Sequence, residues 1–167
     1  MLKKNVLIVD DHRIYPDCIA TLFERAGWQP WVSRDISLAF DFLNTHHVHL
    51  LISDFKMPEM NGLEFVERVR ESHPHLPTIF LSASTEEIDP NKVQMLGVHS
   101  VVDKLSLIKS SDLLSLIELA EEAVCDRFPQ FSSSFPLSDN KKRMVVTDRV
   151  MRNYCSAVGA LGFVPIP

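Results

Sequence analysis

The sequence predicts an open, largely parallel α/β sheet of five strands with helices on both faces. Three observations carry that reading. Short apolar runs alternate with apolar residues at helical spacing five times before residue 126. The runs are rich in branched residues and too short for helices. They are followed by Asp10-Asp11, Asp54, Ser82 and Lys104, and sheets of this kind carry their function at the carboxyl ends of their strands.

The elements follow in order along the chain. Asn5 to Asp10 reads as the first strand, and Ile14, Cys18, Ile19, Leu22, Phe23 and Ala26 mark a helix stopped by Gly27. Trp28 to Ser33 is the second strand; Ile36, Ala39, Phe40 and Leu43 mark the second helix. Val48 to Ser53 forms the third strand, ending at Asp54, and a helix opens near Asn61 through Leu63, Val66 and Val69. Pro77 to Ser82 is the fourth strand. Asp89-Pro90 reads as an N-cap with proline at the first helical position, and Gly97 closes that helix. Val98 to Asp103 makes the fifth strand, and Asp112 to about Cys125 the fifth helix.

Composition limits the alternatives. The 167 residues are 46% apolar and 23% charged, close to ordinary globular chains, which excludes a wholly disordered one. Cys18, Cys125 and Cys155 lack metal-type spacing and are expected as reduced thiols. The start of the chain lacks the long apolar stretch of a secretory signal, no run approaches a membrane span, and a cytoplasmic location is expected. Residues 126–167 hold six basic and three acidic side chains, leaving 11 and 19 before them. The front is therefore about −8 and the tail about +3, and an acidic body attracts nucleic-acid phosphates poorly.

Taken singly, each residue at a strand end has a structural use: Asp11 as a helix cap, Ser82 in a turn, Lys104 as a surface charge. Together they form a site. Three carboxylates at one sheet edge repel one another, and a hard cation such as Mg2+ relieves that cost with few protein ligands. A lysine and a hydroxyl beside one free carboxylate add positive charge and a hydrogen-bond donor, a set that stabilises a phosphoryl group on that carboxylate.

The ordered set Val6-Leu7-Ile8-Val9-Asp10-Asp11-His12, Leu51-Ile52-Ser53-Asp54-Phe55-Lys56-Met57-Pro58, Asn61-Gly62-Leu63, Leu81-Ser82-Ala83 and Val102-Asp103-Lys104 resembles the receiver domain of bacterial two-component response regulators. The Asp-Asp-His beginning is most similar to receivers attached to LuxR-type (NarL/FixJ-like) regulators. The resemblance spans roughly residues 3–125 and implies a flavodoxin-like (βα)5 doubly wound sheet. It implies that Asp54 is the phosphoacceptor, taking phosphate from a sensor histidine kinase, a phosphotransfer protein or a small acyl phosphate. Asp11 would hold Mg2+ directly, Asp10 largely through water, and the Lys56 backbone carbonyl would complete the protein ligands with Asp54. Lys104 would pair with phosphoryl oxygens, and Ser82 would move to bond one of them. Met57-Pro58 and Asn61-Gly62 would shape the loop above the site; a plain turn accounts for Gly62 equally well.

The chain departs from the family pattern in three places. Leu105 follows Lys104 where proline and a cis peptide are usual; without proline the cis form costs about 2.5–4 kcal/mol. Val101 stands at the switch position, where an aromatic ring normally swings inward on phosphorylation. Lys56 and Ser84 occupy positions that tune phosphoaspartate lifetime in the family, and the Lys56 ammonium is a candidate to approach the phosphoryl group. His46, His47, His49, His73 and His75 are read as loop histidines rather than a metal site.

The expected organisation is a receiver over 1–125, a linker over 126–140 containing Pro129, Pro136 and Ser132-Ser133-Ser134, and a C-terminal extension over 141–167. Val146, Val150, Tyr154 and Val158 recur every four residues, an amphipathic helical pattern. One helix cannot supply a helix-turn-helix output domain, so the chain is read as a stand-alone receiver, a fragment of a longer regulator, or one whose output domain was lost or replaced. Its function is expected to be a signalling phosphoacceptor with self-catalysed phosphotransfer and slow autodephosphorylation rather than a turnover enzyme. A homodimer is possible; neither nucleic-acid nor membrane contact is expected of the receiver. The alternatives are a pseudo-receiver acting by protein contact alone and a haloacid-dehalogenase-type phosphatase. The latter needs a second aspartate where His12 stands.

Overall fold

The structure, a computed structural model, describes residues 3–108 and 110–134. Five strands, β1 (Asn5–Val9), β2 (Gln29–Ser33), β3 (Leu50–Asp54), β4 (Thr78–Ser82) and β5 (Ser100–Asp103), form one sheet in the order β2-β1-β3-β4-β5. Every neighbouring pair is parallel. The chain steps from β1 to one side and then builds outward from β3 on the other. The switch point therefore lies between the carboxyl ends of β1 and β3.

Strand periodicity divides the core. Val6 and Ile8 face one side with Leu50, Ile52, Ile79 and Leu81; Leu7 and Val9 face the other with Leu51 and Phe80. Helices α1 (Tyr15–Arg25) and α5 (Ser110–Arg127) cover the first face. Helices α2 (Ile36–Thr45) and α3 (Gly62–Ser72) cover the second. The central strands are buried on both sides, which is why they read as unbroken apolar runs. Phe23 and Trp28 meet edge to face at 5.3 Å, and burying each ring stabilises the fold by roughly 1.5–3 kcal/mol.

Local chemistry sets the helix boundaries. Pro16 lies in the first turn of α1, and Gly27, with φ of 88°, follows its end. Asp35 caps α2 through the Leu38 N–H. Asn61 and Glu64 form a reciprocal capping box at α3. Asp89 caps the short α4 (Pro90–Met95), and Gly97, with φ of 62°, turns the chain toward β5. The α4 end is fixed at the base of the sheet by Arg70, whose guanidinium donates to the carbonyls of Leu96 and Leu76 at 2.8 Å each.

Some boundaries differ from those expected. Asp10 lies just past β1, and β3 begins at Leu50 rather than Val48. Helix α5 starts before Asp112 and runs past Cys125 to Arg127, followed by a 3-10 turn over Pro129–Ser134. Residues 126–134, in the stretch read as linker, are thus held to the domain. The cause is Phe131, which is buried with Phe128 beside it against the His49 ring, at 5.1 and 5.3 Å. Lys4 and Glu121 pair nearby, and the Trp28 indole donates to Glu121 at 2.7 Å. The expected helix within 141–167, together with Cys155, lies outside the described residues. No described helix is long and apolar enough to cross a membrane.

Candidate functional site

The sheet assembles the predicted residues at one edge. Asp10 leaves β1 with its N–H bonded to the Ser33 carbonyl at 3.1 Å. Asp54 ends β3 opposite Leu81, and the next N–H, that of Phe55, bonds the Leu81 carbonyl at 3.0 Å. Ser82 ends β4, and its carbonyl accepts the Lys104 N–H at 2.8 Å. Asp54, Ser82 and Lys104 are thereby presented by successive strands.

Asp10, Asp11 and Asp54 each bring a carboxylate oxygen within 4.8 Å of the others. Their environments differ. Asp10 is buried and accepts the His12 N–H at 2.9 Å; Asp11 is exposed; Asp54 is buried. The Lys104 ammonium enters between two of them, 2.6 Å from Asp10 and 3.0 Å from Asp54, and lies 4.9 Å over the Tyr15 ring. Burial pushes the Asp54 carboxyl above its usual range. Lys104 opposes that rise, Asp10 adds to it, and the Lys56 N–H bonded to the carboxylate opposes it. Three oxygen donors of like charge beside one part-buried ammonium remain short of positive charge, and a hard divalent cation fits that donor set.

Ser82 is buried and its Oγ accepts the Ser84 N–H at 3.0 Å. Lys56 lies beside Asp54 through its backbone, but its ammonium turns away to Glu87, 2.8 Å from both carboxylate oxygens. Val101 is half-buried and packs on the core face shared by α2 and α3. The Lys104–Leu105 peptide is trans, and the Leu105 N–H is held by the Asp103 carboxylate at 2.9 Å. His47 and His49 meet ring to ring at 4.6 Å at the opposite end of β3. Among the described residues the three aspartates form the one cluster suited to a metal ion.

Two features were not legible in the sequence. Gly62 is more than a turn residue: a Cβ there would lie 2.8 Å from the Asp54 carbonyl oxygen and 3.0 Å from the Phe55 Cα. Its N–H bonds the Phe55 carbonyl at 2.7 Å, so α3 begins directly against the backbone that carries Asp54. Glu87, across the site mouth from Lys56, gave no motif signal.

Comparison with known proteins agrees with this arrangement. The response regulator receiver domain family matches residues 6–118, and the chain belongs to that family. The Regulator of RpoS of Escherichia coli (strain K12) is 30% identical over 104 residues, 62% of this chain and 31% of that protein. The chain therefore spans about a third of that relative's length. Chemotaxis response regulator CheY4 of Vibrio cholerae superposes with a TM-score of 0.61 at 24% identity, over 71% of this chain and 99% of that one. Response regulator protein TrrA of Thermotoga maritima, in complex with Mg(2+)-BeF, gives 0.55 at 21% identity over 60% and 86%. These two likenesses are of fold: the flavodoxin-like, CheY-type five-stranded sheet.

Proposed function

We propose that the chain is a phosphorylation-operated switch whose acceptor is Asp54. The observation that carries the reading is the Lys104 ammonium bridging Asp10 and Asp54 beside the exposed Asp11. Lys104 is already seated where the three equatorial oxygens of an incoming phosphoryl group would need a cation. An Asp54 oxygen bonds phosphorus while the bond to the donor breaks and its electron pair leaves with the donor. Lys104 then turns from the carboxylates to the phosphoryl oxygens, and Ser82 supplies a hydroxyl donor from the next strand. Asp10, Asp11, Asp54 and the Lys56 carbonyl would hold Mg2+, which supplies charge neutralisation between the carboxylates and the phosphoryl group. A Mg2+-bearing relative of the same fold supports that choice of cation.

The phosphodonor would be a sensor histidine kinase or a phosphotransfer protein in the cytoplasm, and the output a partner or a further domain outside the described residues. Autophosphotransfer and slow autodephosphorylation belong to the same reading. The receiver is bounded by 1–125 with the Phe131 turn packed on it; 141–167 forms the extension. The finer likeness to LuxR-type receivers rests on Asp10-Asp11-His12 alone. A second reading, a pseudo-receiver that signals by contact without phosphorylation, is favoured by Val101 in the switch position.

Intact mass after incubation with a small acyl phosphate, with and without Mg2+, separates the two. The switch gains one phosphoryl group in a Mg2+-dependent way, and Asp54→Asn does not. An unmodified wild-type chain under a working histidine kinase as well would leave only the contact module.

A further inference from the structure

Helix α2 carries more apolar surface than the core uses. Ile36, Ala39 and Leu43 face inward, yet Leu38 and Phe42, four residues apart, form a second apolar row. Trp31 of the edge strand β2 lies beside that row, its ring 5.0 Å from Phe42 and 5.7 Å from His46. His46 in turn stacks on Phe42 at 4.1 Å. Between β2 and α2 these side chains line a groove of about 410 Å3 that reaches in to Leu7. Trp31 is 41% and Leu38 62% exposed, so large apolar groups stand open and would gain by being covered. The rim is acidic. Asp35 and the exposed Asp41 flank the row, α2 holds no basic residue, and the Arg34 guanidinium is taken up by Asp17 at 2.7 Å.

We propose that this groove seats the chain's own C-terminal segment, with the apolar row Val146, Val150, Tyr154 and Val158 packed on Trp31, Leu38 and Phe42 as a helix in a groove. Three observations choose that occupant. First, the described residues lead out of the domain beside the groove. Phe131 packs on the His49 ring at 5.1 Å, and Phe128 lies 6.2 Å from His47, the neighbour of His46. Second, the lengths agree. Residues 135–145 can span about 36 Å when extended, ample for a row from Leu38 to His46 that is about 12 Å long on a helix. Third, the charges are complementary: residues 135–167 hold five basic side chains (Lys141, Lys142, Arg143, Arg149, Arg152) and two acidic ones (Asp139, Asp148), against an acidic rim. A tether this short gives the segment an effective concentration in the millimolar range, which favours it over a free partner. The docking does not depend on the reading of Asp54 as acceptor.

The experiment is hydrogen exchange read by mass spectrometry on the full, unphosphorylated chain. Amides over 144–158 should be protected in wild type. Leu38→Asp, at an exposed position, should speed their exchange about ten-fold or more, the scale of losing one buried apolar anchor. Val150→Asp should do the same from the other side of the contact. It should also raise acrylamide quenching of tryptophan emission, because Trp31 is exposed once uncovered while Trp28 is buried. Met95→Asp, at an exposed apolar residue of α4 outside the groove, should change neither readout. Unchanged exchange over Leu50–Asp54 in each variant shows that the domain itself stays folded. Unprotected amides over 144–158 in wild type, or protection that survives Leu38→Asp, overturn the docking. Protection that falls on dilution overturns it as well and gives the groove to a second copy of the chain.

Discussion

Replacing Lys104 with methionine keeps the length of the side chain and removes its charge, which isolates the electrostatic role of that lysine. Its ammonium lies 2.6 Å from Asp10 and 3.0 Å from Asp54, with little of any of the three side chains exposed. Unit charges 3 Å apart attract by about 5–6 kcal/mol at an effective dielectric of about 20. Desolvating the ammonium takes back several kcal/mol, so breaking the pair costs about 3–5 kcal/mol. The loss has a definite pH dependence. Asp54 already ionises above its usual range, because burial and Asp10 outweigh Lys104, and without Lys104 it rises further. A carboxyl whose folded pKa is raised keeps its proton at acid pH, and its penalty grows as pH climbs through that folded value. Urea unfolding in chelator should show a larger loss near pH 8 than near pH 4.5. A loss below about 1 kcal/mol, or one equal at both pH values, would refute the reasoning.

Four further outcomes follow from the same geometry. Asp54→Asn should raise stability at neutral pH without Mg2+, read by urea unfolding, since it removes a carboxylate whose ionisation burial opposes. Saturating Mg2+, at about 100 times its Kd, should stabilise wild type by up to about 2.7 kcal/mol in thermal melts and the variant by less. Gly62→Ala should cost about 1–3 kcal/mol and slow phosphorylation, because the new methyl meets the Asp54 and Phe55 backbone. His49 is held at a pKa of about 4 by burial, His47 and Lys4, and its Nδ1 accepts the Asn5 N–H. A depressed histidine contributes stability above its unfolded pKa that is lost as pH falls toward 4, here about 1–3 kcal/mol; His49→Gln should flatten that part of the pH profile.

The fold was readable because its signals are local. Branched runs, the Asn61 and Asp89 caps and the stops at Gly27 and Gly97 each act within a few residues. The acidic edge was readable because strand ends converge in a parallel sheet wherever their helices lie. What escaped depends on residues far apart in the chain. Lys4 meets Glu121, Lys56 meets Glu87, and Phe131 closes over His49. Nothing at either partner's own position announces such contacts. The requirement at Gly62 is of the same kind: its φ is ordinary, and only the nearness of the Asp54 carbonyl excludes a side chain. Likewise, adjacent Asp10 and Asp11 read alike, yet one is buried against Lys104 and the other faces solvent.

The central claim is that Asp54 itself carries the phosphoryl group. Borohydride reduces an aspartyl phosphate to homoserine, so treating the acyl-phosphate-reacted protein and mapping its peptides reads the acceptor directly. The account predicts homoserine at position 54, dependent on Mg2+. Homoserine at Asp10 or Asp11, or none after reaction with a phosphorylated histidine kinase, would contradict it.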